Sequence, residues 1–357
     1  MNDTGKSTRA RRGAVAAVAA VGAAGLVAGG LAGCATPPVA SSAAAALGGV
    51  DQPVNPPAPT STSTTTAPPA PKPTPKPKPV VPRKRLGITS ITPGGKGPYG
   101  VAMVITVDFD HALDRKAKRA LQKRMTVTTT KRIGSASWAW IDSDTVMYRP
   151  KNFWPGNTKV TVSVRMQGLT LSKNSQGYRL FGRGIKTRTF TIGRAQVTSI
   201  DGNTQMGVVK RNGKAIRTIA VSMGKEGWRT RNGIKAFMDK ELDHVYTNTA
   251  VGDYSESYRL VARYNLRLTW SGEFLHSAPW AYGRLGVYPG SHGCTNAYDW
   301  DAGWFYDTAL EGDPVIYKNT GGPTMELGNG LGGPWNIGWK QWRAWSSGGM
   351  SGTFKPA

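Results

Sequence analysis

From Leu86 to Gly193 apolar residues recur at every second position in short runs, and this alternation constrains the fold more than any other feature of the chain. The runs are Val101 to Phe109, Met125 to Thr130, Ser137 to Ile141, Thr145 to Tyr148, Thr158 to Met166 and Lys186 to Ile192, separated by turn chemistry such as Pro93-Gly94-Gly95 and Pro155-Gly156-Asn157. A period of two sends alternate side chains to opposite faces, so several such runs within about a hundred residues predict a β-sandwich. Asp114 to Arg124 is predicted as a charged helix crossing between strands. The chain has two cysteines, Cys34 and Cys294, and neither lies in this region, so an apolar core must hold the sandwich without a disulfide. Trp138, Trp140 and Trp154 are expected in core and edge packing.

A second folded region opens at Arg194 with predicted strands Gln196 to Ile200, Thr204 to Lys210 and Lys214 to Ser222. The last two are joined through Arg211-Asn212-Gly213, and Asn-Gly between alternating apolar runs is a strong hairpin signal. Leu260 to Trp270 reads as a strand, Asp299 to Glu311 as a short helix ended by Gly312, and Asp313 to Tyr317 as a returning strand. The expected fold class is therefore mainly β: a sandwich over 86–193, a β-rich domain over 194–317 with one short helix after Cys294, and a Trp-rich extension over 318–357. Trp335, Trp339, Trp342 and Trp345 are spaced 4, 3 and 3, near one helical face. They are expected to pack the tail against the two domains; stacking on sugar rings is the alternative.

Lys6, Arg9, Arg11 and Arg12 precede a run from Ala14 to Gly33 made only of Ala, Val, Leu and Gly. A charged segment followed by an apolar one is the pattern of an export signal, read here as 1–33, with an uncleaved membrane anchor as the alternative. Leu31-Ala32-Gly33-Cys34 resembles a bacterial lipobox. The resemblance implies a lipoprotein signal peptide cut before Cys34, and a lipid-anchored Cys34 on the outer face of the membrane. Residues 34–85 shift to Pro, Ala, Ser and Thr, with proline at alternate positions from Pro71 to Pro79. Such a segment favours extended polyproline II at about 3 Å per residue and is expected to be a disordered linker holding the domains away from the membrane.

The net charge is +25, and the excess is concentrated in 86–193, where 18 basic residues face 5 acidic ones. No RNP, zinc-finger or helix-turn-helix signature accompanies them, which argues against nucleic acid. An anionic cell-wall polymer is the better partner for an exported chain, and a solvated basic face is the bland alternative.

Cys294 lies in Gly290-Ser291-His292-Gly293-Cys294-Thr295-Asn296, between a Pro-Gly turn and the predicted helix. A free thiol is mostly protonated near neutrality, so a nucleophilic one needs an imidazole or a helix N-terminus beside it. His292 is two residues away and His276 eighteen, in Leu275-His276-Ser277-Ala278-Pro279-Trp280. Gly293 allows close approach to a carbonyl, and the Gly293 and Cys294 amides are candidates to meet a developing oxyanion. A buried structural cysteine is one alternative. A zinc site of His276, His292 and Cys294 is another, but it lacks a fourth ligand and zinc-ribbon spacing.

Phe274 to Trp280 followed by Ser291-His292-Gly293-Cys294-Thr295-Asn296 resembles the signature of the L,D-transpeptidases of the YkuD-like fold, with every fixed position matched. An immunoglobulin-like (Ig-like) domain ahead of such a domain, and a Trp-rich extension behind it, is similar to the mycobacterial and actinobacterial lipoprotein type. The resemblance implies Cys294 as nucleophile and His276 as general base and acid, its ring oriented by the Ser277 carbonyl. It further implies that His292, Gly293 and Asn296 shape the thiol loop, and that the amides of His292, Gly293 and Cys294 form the oxyanion hole. Ser291, Met238, Tyr246, Tyr258 and Trp280 are implied as substrate-binding residues, under a flap formed by the segment before the motif.

The reaction so implied is attack on the diamino acid to D-Ala bond of a peptidoglycan tetrapeptide stem, loss of D-Ala, and a 3→3 cross-link when a second stem's amine takes the acyl group. It uses no cofactor or metal, and carbapenem-type β-lactams are implied as covalent inhibitors. An L,D-carboxypeptidase and a non-enzymatic wall-binding lipoprotein are the rival readings.

Overall fold

The computed structural model describes residues 79–174, 176–247 and 259–346. The export signal, Cys34 and almost all of the predicted linker lie outside them, as does Tyr258. No helix among the described residues is long and apolar enough to cross a membrane.

The first domain carries a four-stranded antiparallel sheet of Ile88–Thr92 (β2), Ile105–Phe109 (β3), Thr145–Pro150 (β6) and Ala136–Trp140 (β5), in the order β2-β3-β6-β5. A three-stranded antiparallel sheet orders Ile185–Ile192 (β10), Thr158–Arg165 (β7) and Met125–Thr129 (β4) as β10-β7-β4. Arg83–Arg85 (β1), Arg179–Phe181 (β9) and Thr170–Lys173 (β8) form a small third sheet. Thus a strand of three exposed basic residues lies inside the stretch whose composition reads as spacer; its backbone pairing with β9, rather than burial, is what orders it. The predicted crossing helix is Arg115–Gln122 (α1), whose first turn is closed by the Asp114 carboxylate accepting from the Ala117 N–H at 2.7 Å. The inward residues of the sheets, among them Val107, Trp140, Val160, Val162 and Phe190, make one core. Trp154 is 2% exposed and donates its indole N–H to the Met103 carbonyl at 2.6 Å, so its polar edge is satisfied within the core.

The second domain is built on a nine-stranded mixed sheet. Its strands are Gln196–Asp201 (β11), Met206–Arg211 (β12), Lys214–Ser222 (β13), Gly233–Ala236 (β14), Lys240–Thr247 (β15), Arg259–Arg267 (β16), Phe274–Ser277 (β17), Thr295–Ala297 (β18) and Pro314–Lys318 (β19). They are ordered β14-β19-β11-β12-β13-β18-β17-β16-β15. The β12–β13 turn is the predicted one, with Asn212 at φ 50° and Gly213 at φ 82°, both in the left-handed region that a two-residue hairpin turn requires. Asp299–Thr308 (α2) packs Phe305 against Phe237 beneath the sheet.

The two domains meet backbone to backbone. The Gly100 N–H donates to the Glu311 carbonyl at 2.7 Å and the Ala102 N–H to the Gly312 carbonyl at 2.9 Å. The tail closes the seam. Trp335 sits in a separate 3-10 turn, Gly333–Asn336, and donates to the Ala102 carbonyl at 2.7 Å; the other three tryptophans lie on or just after a helix of two turns, Trp339–Ala344 (α3). The buried Arg149 guanidinium lies over Trp335, Trp339 and Trp342 at 4.9, 5.4 and 4.5 Å, so the tryptophans stack on a protein cation.

A Cβ built on Gly100 would lie 2.0 Å from the Asp313 amide nitrogen, a backbone atom that cannot give way. Gly100→Ala is expected to cost about 1–3 kcal/mol through overpacking, read as a lower urea midpoint at unchanged slope.

Candidate active site

The parallel pairing of β17 with β18 assembles the site. Leu275 lies opposite Thr295 and His276 opposite Asn296, which puts Phe274 beside Cys294. Cys294 immediately precedes β18, and continuing the register sets it two residues from His276 along the neighbouring strand, a Cα separation of about 8 Å from strand spacing and rise. Both line one cleft of about 510 Å³, together with Tyr246, Trp280, Ser291, His292 and Asn296.

His276 is 3% exposed, and its Nδ1 meets the Ser277 carbonyl oxygen at 2.8 Å. A carbonyl only accepts, so the neutral ring carries its proton on Nδ1 and keeps a lone pair on Nε2. Burial pushes the imidazole down to about 4, against a smaller upward pull from the Ser277 carbonyl. The Tyr246 ring lies 4.9 Å from the imidazole at 34° and the Trp280 ring 6.0 Å away at 33°. The Tyr246 hydroxyl donates to Asn265 Oδ1 at 3.0 Å.

Cys294 is partly open to the cleft as a residue, but its sulfur sits deep. Burial pushes the thiol up to about 12, opposed by the Phe274 N–H and, more weakly, by Lys235 and the Tyr246 hydroxyl. Both shifts act in the direction of the uncharged forms, a protonated thiol and a neutral imidazole. β18 lies in the chain between Cys294 and the start of α2 at Asp299.

Ser291 binds the thiol loop at two points. Its Oγ donates to the Cys294 carbonyl at 2.6 Å and accepts the Gly293 N–H at 3.1 Å. The Gly293 amide, named above as an oxyanion donor, is therefore engaged within the loop. Gly293 adopts φ 115°, a left-handed conformation open to glycine, and its carbonyl accepts from Thr230 Oγ1 at 2.8 Å. The His292 ring meets Trp228 edge to face at 5.1 Å. Asn296 is paired to Ser222 on one side and His276 on the other. Met238 does not join the cleft. It is buried beside the end of β16, its N–H bonded to the Arg267 carbonyl at 2.9 Å, and its sulfur packs near Gly330. Of the implied flap, β15 and β16 pair antiparallel, and the stretch between them lies outside the described residues.

Sequence reasoning missed a charged cluster beneath the nucleophile. Lys235 is 0% exposed and Glu273 5%, and their ammonium and carboxylate are in direct contact. Arg231 reaches the second Glu273 oxygen at 3.1 Å and Glu326 at 2.9 Å. The Lys235 ammonium lies 4.0 Å over the Tyr317 ring, whose hydroxyl is 2.7 Å from Thr295 Oγ1. The cluster thus flanks Cys294 on both sides, through Gly293, which the Glu273 side chain packs against, and through Thr295. The available signal was a charged residue inside short apolar runs, Ile234-Lys235-Ala236-Phe237 and Gly272-Glu273-Phe274-Leu275.

Residues 196–316 match the model of the L,D-transpeptidase catalytic domain (YkuD), and residues 79–170 that of a bacterial Ig domain. L,D-transpeptidase 2 of Mycobacterium tuberculosis is 33% identical over 257 residues, 71% of this chain and 61% of that protein, so the chain spans less than two thirds of it. L,D-transpeptidase 1 of the same organism is 32% identical over 232 residues, 64% of this chain and 84% of that one. A structure of the L,D-transpeptidase LdtMt1 in complex with imipenem superposes with a TM-score of 0.54 at 29% identity, covering 67% of this chain and all of that one. An L,D-transpeptidase from Mycobacterium smegmatis gives 0.52 at 25% identity, covering 65% and 99%.

A cysteine and a tautomer-fixed histidine facing one cleft of a mainly β domain define an enzyme of the cysteine acyl-transfer class. Within that class the chain belongs to the L,D-transpeptidase family.

Two measurements probe the site. Glu273→Gln leaves the Lys235 ammonium buried without a counter-charge, and a loss of about 3–5 kcal/mol in urea denaturation is expected; Glu273→Leu combined with Lys235→Met should recover most of it. The second concerns His276, whose folded pKa lies below its ordinary 6.5, so its contribution to stability is present above pH 6.5 and lost as pH falls towards about 4. An NMR titration should place the ring's midpoint near 4, and a midpoint at 6 or above would contradict the buried neutral imidazole.

Proposed function

We propose that this chain is a peptidoglycan L,D-transpeptidase that forms 3→3 cross-links through an acyl-enzyme on Cys294. The observation that carries this reading is the placement of His276 on β17 and of Cys294 immediately before its parallel neighbour β18, both lining one cleft, with the Ser277 carbonyl fixing the basic nitrogen as Nε2. As the thiol attacks the carbonyl joining the diamino acid to D-Ala, its proton passes to Nε2. The oxyanion takes hydrogen bonds from the thiol-loop amides; because Ser291 holds the Gly293 N–H at rest, the Cys294 amide is the first donor. The imidazolium then protonates the leaving amine, D-Ala departs, and a thioester remains. His276 next deprotonates the amine of a second stem, which attacks the thioester, forms the new amide and releases the thiol.

General-base catalysis of this kind contributes about 10² to 10⁴ in rate. Tyr246 and Trp280 are the aromatic walls that exclude water and flank the imidazole, and Asn296 and His292 support the loop. Tyr258 is part of the same reading by family resemblance alone. β-Lactams of the carbapenem type would acylate the same sulfur, as suggested by the relative whose structure contains imipenem.

Lipid anchoring through Cys34, the export signal and a place at the outer face of the membrane rest on the sequence pattern. Anionic wall polymer is the proposed partner of the Ig-like domain, where Lys123, Arg124 and Arg165 gather beside the hydroxyls of Thr126, Ser163 and Thr187.

Incubation with disaccharide-tetrapeptide tests the enzymatic reading. The parent protein should show an acyl adduct by intact mass, D-Ala release and cross-linked dimer, and Cys294→Ala should show none of these. Tripeptide without dimer would favour the carboxypeptidase, and absence of any adduct would favour a wall-binding protein.

A further inference from the structure

Most half-buried basic side chains of the catalytic domain are matched by acids, and Arg211 meets the Gln196 amide oxygen at 2.9 Å instead. Arg194 meets Asp313 at 2.8 Å, Arg217 meets Asp301 at 2.7 Å, Arg231 meets Glu273 and Glu326, and Arg267 meets Asp239 at 3.1 Å. Lys225 and Arg284 break the pattern. Both are half-buried, both line the catalytic cleft, and neither pairs with a carboxylate among the described residues. No Asp or Glu lines the cleft among those residues either. Partial burial of a cation costs solvation that a counter-charge normally offsets, so two such cations in one cleft mark a place where the counter-charge arrives with a ligand.

Their placement is specific. The Lys225 backbone N–H donates to the Ser291 carbonyl at 2.9 Å, and Arg284 Nη1 approaches the neighbouring Gly290 carbonyl at 3.4 Å. Arg284 reaches that position because residue 290 has no side chain: a Cβ built there would lie 2.8 Å from Arg284 Cδ and 2.9 Å from Nη1. Two chain segments far apart in sequence, the stretch just after β13 and the 3-10 turn Pro279–Arg284, thus adjoin neighbouring residues of the catalytic loop, Lys225 through its backbone at Ser291 and Arg284 through its guanidinium at Gly290, and both residues line the cleft. Ser291 in turn holds the Cys294 carbonyl through its hydroxyl.

We propose that Lys225 and Arg284 form a carboxylate-binding subsite on the Ser291 flank of Cys294, which selects stem peptides by a free carboxylate near the bond to be broken. The proposal rests on the transpeptidase reading for the kind of peptide that enters. A stem of that kind offers the D-Ala terminal carboxylate and, where the diamino acid has a second carboxyl group, that one as well. The guanidinium presents paired N–H donors to either, and the ammonium adds a point charge.

Calorimetry of Cys294→Ala protein with disaccharide-tetrapeptide reads binding without turnover. Arg284→Gln in that background is expected to raise Kd about tenfold for the fully acidic peptide, the worth of one charge-assisted hydrogen bond, with a smaller rise for Arg284→Lys. Lys225→Gln should act in the same direction. Repeating the series with the D-Ala carboxylate amidated, and separately with the diamino acid carboxylate amidated, identifies the carboxylate engaged, because the penalty of Arg284→Gln collapses only for the peptide that lacks it. An unchanged Kd in Arg284→Gln, or an equal penalty on both amidated peptides, overturns the subsite. Equal thermal melting of the Gln and Lys variants shows that folding is not the cause. D-Ala release by the Cys294-bearing protein from the same peptides separates the two claims: no release sinks the transpeptidase reading, whereas release with binding indifferent to amidation sinks the subsite alone.

Discussion

The short parallel pairing of β17 with β18 is the contact on which the rest of the molecule depends. Two strands of four and three residues set an imidazole and, immediately before β18, a thiol at one cleft, and neither strand is stable alone. They hold because they lie in the middle of a nine-stranded sheet, with β13 on one side and β16 on the other, and because Leu275 and Ala297 are fully buried in the core below. The Ser277 hydroxyl bound to the Asp299 carboxylate fixes the end of β17 to the start of α2, so helix, strand and histidine are set as one piece.

Burial gives the site its chemical character. The same loss of water lowers the basicity of His276 and the acidity of Cys294, so both shifts favour the uncharged forms. An ion cluster lies one layer down, where Lys235 and Arg231 are balanced by Glu273 and Glu326 beneath the Gly293–Thr295 backbone. The ionic layer supports the loop from below, and the neutral imidazole and thiol face the cleft. The aromatic rings of Tyr246 and Trp280 flank the imidazole on the cleft side.

Much of this was legible in the sequence. The alternation of the sandwich strands, the Asn212-Gly213 hairpin, α1 with its Asp114 cap and the approximate span of α2 follow from local rules that tertiary contacts do not override. The His276 and Cys294 motifs were visible as well, because their residue types and spacing are unusual. What was not legible has a common cause. β14, β17 and β18 are too short to show a period, and β15, Lys-Glu-Leu-Asp-His-Val-Tyr-Thr, shows no apolar alternation, since its pairing with β16 orders it. Lys235 and Glu273 read as surface residues until topology places them opposite each other. Met238 lies close in sequence to the cleft strands, and only the path of the chain beside the end of β16 takes it away.

The burial that raises the Cys294 thiol has one more consequence. Peroxide and other oxidants react with the thiolate and spare the thiol, and each oxidation step beyond sulfenic acid destroys a nucleophile for good. A sulfur that yields its proton only as a bond to carbon begins to form is exposed to that damage for a small fraction of each catalytic cycle. Burial that favours the protonated thiol thus also favours the form of Cys294 that oxidants spare.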